Sequence, residues 1–267
     1  MMCRPTHFDL TYSINAWMKP GTKVDHKKAM KQWETLKSTV EKCGAKVEVM
    51  ESKDAKQYPD IVYCANAGIV RGDRVYLSHF ANLERLGEFV YYRRFFKERG
   101  FKTFYNRNII HEGAGDGLWF GKGMNYLLSG VGLRSEARAC ADIKKKLATK
   151  NDDFQIIAAR LVDPRFYHID TCFCPLDEEL AMCYKPAFDP ASQYNITNHT
   201  EILPISEKDA NRFACNAVVI GKNVILNRGS EKTERLLEKN GFKVHPIDMS
   251  EFIKGGGSAK CCILRLE

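Results

Sequence analysis

The chain has no uninterrupted hydrophobic run long enough to form a membrane-spanning helix. Its N-terminus, Met-Met-Cys-Arg-Pro-Thr-His-Phe-Asp, also lacks the apolar stretch that is typical of a secretory signal. Charged residues make up 28% and hydrophobic residues 44% of the 267 residues. This composition excludes a disordered tail and a membrane protein, and it predicts a folded protein with a sizeable core.

Paired metal-binding cysteines are missing as well. The chain has ten cysteines, but none are spaced as C-x-x-C, so we expect no zinc ribbon or finger. Reduced thiols in a cytoplasmic protein are the better interpretation. A strong excess of one charge is also missing: the net charge is +8, and the basic residues are dispersed. The densest run, Lys144-Lys145-Lys146, fits a solvated helix face, so we predict no nucleic-acid partner and no membrane partner.

No segment rich in proline, glycine and serine divides the chain, so residues 1–267 are predicted to form one domain. Three junctions share one pattern, in which a helix ends at a glycine and a strand follows, at residues 42–47, 98–103 and 239–244. Four hairpins are visible, and the two chain ends can supply a further strand pair. Units of helix, strand and hairpin thus repeat about every 40–50 residues, which predicts a propeller. An ordinary mixed α/β sheet is the alternative.

The periodicity of apolar residues gives the individual elements. Helices are predicted at 25–43, 83–98, 135–147 and 230–239. Strands are predicted at 7–14, 46–50, 61–64, 74–78, 101–105, 116–120, 124–128, 154–158, 168–173, 179–184, 216–220, 223–226 and 242–246. The alternating apolar run after Cys261 indicates one more short strand.

Each unit carries a polar residue at the point where it passes into its hairpin, although a core strand does not need one there. These residues are Asn66, Glu112 with Asp116, His168 with Asp170, Asn216 and Cys261. A closed ring would bring these positions together on its axis. Because buried polar groups need partners, their convergence predicts a site rather than a core. Cys261 follows three glycines at 255–257, which permit close backbone approach, and its thiol is a candidate nucleophile. The alternative is a cysteine buried in the core.

Four segments in order resemble the guanidino-modifying hydrolases and amidinotransferases: 59–68, 111–116, 166–173 and 255–261. The resemblance extends over essentially the whole chain. It implies the pentein fold, a five-bladed α/β propeller with pseudo-fivefold repeats of helix, strand and hairpin. The closest similarity is to the arginine dihydrolase and dimethylargininase-like branch. That branch implies a small-molecule guanidino substrate, arginine or a methylated arginine, and no metal or organic cofactor.

The resemblance also implies catalytic roles. Cys261 resembles the nucleophile, His168 the general acid/base and Glu112 the group that orients the histidine. Asp170 resembles a carboxylate that grips guanidinium. Because it lies two residues after His168 on the predicted strand, we expect both side chains on one face. By the same argument, Cys262 would point away from Cys261.

Further residues resemble substrate contacts. Arg85 and Arg134 are similar to the clamps for a substrate α-carboxylate, and Asn15 to another contact. Arg85 has glutamates nearby on its predicted helix, so a surface salt bridge is the alternative. Asp116 is one residue further from Glu112 than in the Glu-Gly-Gly-Asp pattern of arginine deiminases, which leaves its role as a substrate contact open.

Asn66 stands where arginine deiminases and dimethylargininases have aspartate, and succinylarginine dihydrolases carry a similar Ala-Asn-Ala stretch. An amide can donate to a neutral ureido oxygen and still accept from an N–H. We therefore predict two hydrolyses through a covalent thiouronium, from arginine to ornithine, two ammonia and carbon dioxide. The alternatives are a dimethylargininase or arginine deiminase that stops at citrulline, and a non-catalytic pentein scaffold. The sequence leaves a homo-oligomer open.

Overall fold

A computed structural model describes residues 1–19 and 21–266 of the chain. In this part the strands form five small sheets. The strands, β1 to β14 in chain order, are Met2–Cys3, Val49–Met50, Gly68–Arg71, Arg74–Leu77, Lys102–Phe104, Gly117–Phe120, Tyr126–Val131, Gln155–Arg160, Phe173–Pro175, Leu180–Cys183, Glu201–Pro204, Val218–Ile220, Asn223–Asn227 and Lys243–Ile247. The α-helices, α1 to α8, are His26–Lys42, Leu83–Leu86, Glu88–Glu98, Ala139–Leu147, Pro190–Thr197, Glu207–Ala210, Glu231–Lys239 and Ser250–Lys254.

Four of these sheets repeat one plan. An antiparallel hairpin comes first, and its second strand also pairs in parallel with a third strand after a helix. The sheets are β3-β4-β5, β6-β7-β8, β9-β10-β11 and β12-β13-β14. The predicted repeat of hairpin, helix and strand is confirmed.

The fifth sheet has two strands, both from the N-terminal part of the chain, and the C-terminal end lies beside it. Strand β1 pairs in parallel with β2, and α1 connects them. The Met1 amino group donates to the Leu264 carbonyl at 2.6 Å, and the Leu264 N–H donates to the Met1 carbonyl at 3.0 Å. The two chain ends thus meet through backbone hydrogen bonds, but residues 263–266 form no strand, so the predicted strand pair from the two ends is wrong.

Helix α1 shows why the predicted elements form. The Asp25 carboxylate accepts from the Lys28 N–H at 3.0 Å and satisfies a donor of the first turn. Trp33, Leu36 and Val40 recur on one face and are buried. The helix ends before Gly44, whose φ of +100° lies in the left-handed region. This apolar face packs against the sheets and contributes to the core between helix and blade.

Several predicted strands are turns instead. Residues 7–14 and 263–266 form no strand, and residues 61–64 fall in 3₁₀ turns at Pro59–Val62 and Cys64–Ala67. Residues 168–173 contain another 3₁₀ turn, Ile169–Thr171, with the Thr171 N–H bonded to the His168 carbonyl at 3.2 Å. Short apolar runs in these segments are buried on several sides, and such burial does not distinguish a strand from a turn.

The longest helix absent from the sequence prediction is α5. Its start is marked by the Asp189 carboxylate, which accepts from the Ser192 N–H at 2.7 Å, with Pro190 in the first turn. These are ordinary N-terminal signals. No helix among the described residues is both long and apolar enough to cross a membrane.

Candidate active site

The 3₁₀ turns that open the blades carry the candidate residues toward the centre of the ring. Asn66 lies in the second turn of the first full blade, Glu112 precedes the turn Gly113–Gly115, and Asp170 lies in Ile169–Thr171. Cys261 lies in a turn after α8. These side chains are buried. The predicted convergence of polar residues is present, although turns rather than strands produce it.

Two side chains contact the sulfur of Cys261. The thiol donates a hydrogen bond to Asp170 Oδ2 at 3.3 Å, and Asn216 Nδ2 donates to Sγ at 3.0 Å. Burial raises the pKa of the Cys261 thiol well above its usual range, and the negative charge of Asp170 adds to this. This environment therefore favours the neutral thiol of Cys261.

Glu112 holds the candidate acid/base. Its Oε2 lies 2.7 Å from His168 Nε2 and accepts from Arg134 Nη1 at 2.9 Å, while Oε1 accepts from the Ala81 N–H at 3.0 Å. Burial acts to raise the pKa of Glu112, but the Arg134 charge and the bond to His168 outweigh it and lower the pKa strongly. Glu112 thus stays an anion that fixes the histidine ring. In the described part of the chain, no hydrogen bond links His168 to Cys261.

The amide of Asn66 has one defined orientation. Its Oδ1 accepts from Arg85 Nη1 at 3.0 Å, and its Nδ2 donates to the Glu112 carbonyl at 2.8 Å. Because a guanidinium only donates and a carbonyl only accepts, the reverse orientation is excluded. One of the two Nδ2 hydrogens remains available for a ligand. Gly115 permits this close packing, because a Cβ there would lie 2.4 Å from Asn66 Nδ2.

Arg85 is a buried residue, and the alternative of a surface salt bridge is wrong. Its guanidinium makes two parallel bonds to Glu88, at 2.8 and 2.9 Å, and a third to the Asp60 carbonyl at 3.2 Å. Burial raises the pKa of Glu88 to about 7, against the opposing charge of Arg85. These contacts hold the Arg85 guanidinium directly behind Asn66.

Four of the candidate substrate contacts border one small cavity, whose lining does not include Asp170. Arg85, Arg134, Asn15 and Asn66 line it together with Cys261. Its volume is about 10 Å³, room for roughly one water molecule. A substrate of amino-acid size does not fit until the wall moves. The Asn15 side chain is part of that wall, since its Nδ2 donates to the Gly255 carbonyl at 3.1 Å.

Asp116 does not belong to the residues that line this cavity. Its Oδ2 accepts from the Ser135 hydroxyl at 2.6 Å, and its Oδ1 accepts from the Ile169 N–H at 3.1 Å. Both neighbours adjoin candidate site residues, Arg134 and His168. This geometry favours a positioning carboxylate, and the predicted substrate contact of Asp116 stays a prediction.

Asp60 is a cavity residue that sequence reasoning missed. It is buried, its carboxylate borders the cavity, and Oδ1 has no hydrogen-bond partner among the described residues. Burial raises the pKa of Asp60, while the charge of Arg85 opposes this. An unpaired buried acceptor in a cavity wall can receive an ammonium group. The available signal was an acidic residue inside the apolar run Pro-Asp-Ile-Val-Tyr.

Metal binding has no support in the arrangement. The described residues contain no group of three or more His, Cys, Asp or Glu side chains that could hold a metal ion. The donors around the cavity are instead arginines, amides and carboxylates, which suit a charged organic ligand.

Comparison with known proteins identifies relatives along the whole chain. A family model described as N,N dimethylarginine dimethylhydrolase, eukaryotic, matches residues 4–267. The bifunctional arginine dihydrolase/ornithine cyclodeaminase ArgZ of Synechocystis sp. is 40% identical over 272 residues, which cover 100% of this chain and 37% of that protein. The chain thus spans little more than a third of this relative. The N(G),N(G)-dimethylarginine dimethylaminohydrolase of Mycobacterium tuberculosis is 35% identical over 266 residues, covering 99% and 84% of the two chains.

Solved structures of arginine dihydrolases resemble the chain over nearly its whole length. The N-terminal domain of ArgZ, described as a cyanobacterial arginine dihydrolase and crystallised as a cysteine-to-serine mutant bound to substrate, matches with a TM-score of 0.93 at 39% identity. The match covers 99% of this chain and 96% of that one. The pentein fold that the repeats and motifs predicted is confirmed.

Proposed function

The chain belongs to the N,N-dimethylarginine dimethylhydrolase family, and we propose that it hydrolyses the guanidino group of free arginine twice, to give ornithine. The observation that carries this proposal is the fixed amide of Asn66, which keeps one N–H free beside Cys261. The relationship to arginine dihydrolases supports it. Residues 1–267 are taken as one catalytic domain, and ten free thiols favour a reducing, cytoplasmic compartment.

Substrate binding starts the first hydrolysis. The guanidinium docks on Asp170, whose Oδ1 has no partner among the described residues. Its positive charge lowers the pKa of the neighbouring Cys261 thiol, which favours the reactive thiolate. Burial raises the pKa of Asp170, but the bound cation opposes this, so the carboxylate stays an anion and the thiol proton leaves to solvent water. The nucleophile is thereby activated only when substrate is present.

The bond changes of the first hydrolysis follow. Sγ bonds to the guanidinium carbon, and His168 protonates one nitrogen, which leaves as ammonia when its C–N bond breaks. The product is a cationic thiouronium on Cys261. His168 then takes one proton from an attacking water, the C–S bond breaks, and the second water proton passes to sulfur. Citrulline is left in the site.

The second hydrolysis depends on Asn66. The ureido group of citrulline is neutral and has a carbonyl oxygen, to which the free Asn66 N–H donates. Sγ attacks the ureido carbon and a second ammonia leaves; water then cleaves the C–S bond, and the carbamate formed decomposes to carbon dioxide and ornithine. Two waters are consumed in total. A carboxylate at position 66 would instead repel the oxygen that gains negative charge.

The remaining cavity residues select a free amino acid. Arg85 and Arg134 supply positive charge for the α-carboxylate, Asp60 supplies an acceptor for the α-ammonium, and Asn15 closes the wall. Arg134 also holds Glu112 at 2.9 Å. Occupation of the clamp by a carboxylate is therefore coupled to the group that orients His168.

A second candidate function is hydrolysis of dimethylarginine, which the matching family model favours. It ends at citrulline and releases a methylated amine. Incubation with arginine and, separately, with dimethylarginine separates the candidates when amines, citrulline and ornithine are quantified. We expect ornithine and ammonia in a one-to-two ratio from arginine, and nothing from Cys261→Ser. Citrulline as the only amino-acid product would overturn the dihydrolase proposal.

A further inference from the structure

We propose that Asn216 is a catalytic residue of this site, whose side-chain N–H stabilises the thiolate of Cys261. The inference deepens the proposed function, because it concerns the same nucleophile. It can nevertheless be tested on the thiol alone, without any substrate.

The orientation of the Asn216 amide is fixed by the backbone. Oδ1 accepts from the N–H of Ser258 and from the N–H of Cys261, both at 3.1 Å. Since a backbone N–H can only donate, the amide nitrogen must face the other way. There Nδ2 donates to the Asp170 carbonyl and to Cys261 Sγ, both at 3.0 Å. Every hydrogen-bonding position of the amide is used, and one is used on the sulfur.

The backbone around Asn216 is fixed as well. Its N–H donates to the Phe213 carbonyl at 3.0 Å, and its carbonyl accepts from the Lys260 N–H at 3.2 Å. Phe213 adopts a φ of +62°, a left-handed conformation that is costly for a side chain of this size. Asn216 is fully buried. The donor is therefore in place before the reaction and needs no reorganisation when charge develops on sulfur.

The two contacts of the sulfur change in opposite directions when the thiol loses its proton. The contact with Asp170 Oδ2, at 3.3 Å, loses its hydrogen and becomes a contact between two anions. The contact with Asn216 Nδ2, at 3.0 Å, becomes a charge-assisted hydrogen bond. An interaction that strengthens as the reactive species forms assists the reaction rather than the binding of substrate.

The experiment measures the pH dependence of alkylation at Cys261. Iodoacetamide reacts with the thiolate, sulfur displaces iodide, and fragment-ion mass spectrometry separates Cys261 from Cys262 in the shared tryptic peptide. Loss of a hydrogen bond to a charged group should raise the thiol pKa in Asn216→Ala by about one to two units. At pH values below the thiol pKa, a higher pKa leaves less thiolate, but each thiolate is more nucleophilic. We therefore expect the alkylation rate of Asn216→Ala at a given pH to fall by at least about threefold.

Asn216→Asp and Asn216→Ala together separate donation to sulfur from a purely structural role. Aspartate keeps an acceptor for the N–H groups of Ser258 and Cys261, but it places a negative charge near Sγ. If donation to sulfur matters, this variant raises the thiol pKa at least as much as Asn216→Ala. If Asn216 only anchors the loop, the raised pKa in this variant comes from the added charge alone, so Asn216→Ala keeps the alkylation profile of the parent protein, and the proposal is overturned.

Asn227→Ala is the matched control. Asn227 lies in the same blade but, unlike Asn216, its side chain binds only backbone, with Nδ2 donating to the carbonyls of Arg212 and Arg228 at 3.1 and 3.3 Å and Oδ1 accepting from the Met249 N–H at 3.2 Å. We expect a loss of stability and an unchanged alkylation profile at Cys261. An equal shift in this control would attribute the effect to loosening of the blade and overturn the proposal.

The remaining outcomes are decided by Asn216→Ala. The thermal transition shows whether the aspartate variant folds. If it does not, Asn216→Ala decides alone: an unchanged pH profile of Cys261 alkylation rejects donation to sulfur, and a raised thiol pKa supports it. With arginine as substrate, the supported role lowers kcat and leaves KM within about threefold. A protein that yields only citrulline but shows the raised thiol pKa would remove the dihydrolase proposal and retain this one.

Discussion

The side chain at position 66 acquires its properties from two neighbours. Arg85 fixes the carbonyl end of the Asn66 amide, and the Glu112 carbonyl fixes the nitrogen end. One Asn66 N–H therefore remains without a partner among the described residues, in a side chain that lines the cavity. Substitution by a carboxylate changes both contacts, because one carboxylate oxygen would face the Glu112 carbonyl.

Asn66→Asp should change the product. The first hydrolysis survives, because a carboxylate near Arg85 can still pair with guanidinium. The second hydrolysis loses a donor and gains repulsion, at a cost of about 2–4 kcal/mol in its transition state, which is roughly a hundredfold or more in rate. Citrulline should accumulate where the parent releases ornithine, as measured chromatographically at matched arginine consumption. A variant that still makes mainly ornithine excludes Asn66 as the determinant.

The turn from His111 to Asp116 is the element that shapes the reaction centre. His111 Nδ1 accepts from the Gly113 N–H at 3.2 Å, and Nε2 lies 3.4 Å from the Ser129 hydroxyl. Gly115 brings the turn against Asn66 and His168. The turn therefore sets the positions of Glu112, Asn66 and His168 together.

Gly115→Ala tests this packing. The added Cβ would lie 2.4 Å from Asn66 Nδ2 and 3.0 Å from His168 Nδ1, closer than packed atoms permit. We expect a loss of about 1–3 kcal/mol in the free energy of unfolding and a fall in kcat of about a hundredfold. Gly132→Ala is the control, because its Cβ would meet Leu161 at an ordinary 3.6 Å. Parental kcat in Gly115→Ala would contradict the proposed packing.

The same turn should make stability depend on pH. Burial lowers the pKa of His111 to about 4. Between this value and the unfolded pKa of about 6.5, the unfolded chain binds a proton that the folded chain does not, so stability falls as pH falls through this window. The difference amounts to about 3 kcal/mol.

Chemical denaturation at pH 7 and pH 4 measures this dependence. His111→Gln should lose about 3 kcal/mol less than the parent between the two pH values, because glutamine does not titrate. His26→Gln is a suitable control on the solvent-exposed first turn of α1. If the His111 and His26 variants show the same pH dependence, the lowered pKa of His111 does not govern acid stability.

At the scale of the whole molecule, tertiary hydrogen bonds bring distant segments of the chain together. Asn216 and Cys261 are 45 residues apart, Asp170 and Cys261 are 91 apart, and Met1 and Leu264 are 263 apart, yet each pair is hydrogen-bonded. Each blade contributes one turn, and the last blade needs both chain ends. The site therefore depends on how all the blades pack against one another.

The sequence by itself determined the repeat and the residue types of the site. Glycine stops, hairpin signals and apolar helix faces are local patterns, so α1, α3 and α7 and the four hairpins follow from short segments. The convergence of Asn66, Glu112, His168, Asp170 and Cys261 also followed from the sequence, because a polar residue recurs at one place in each unit.

Tertiary structure alone decided the local conformation and the partners of these residues. The predicted strands at 61–64 and 168–173 are turns, because burial on several sides gives an apolar pattern without alternation. The direction of the Asn66 amide, the bond from Asn216 to sulfur and the enclosure of Asp60 all depend on contacts between different segments. A hydrogen bond between distant residues leaves no periodic pattern in the chain, and only the folded ring selects it.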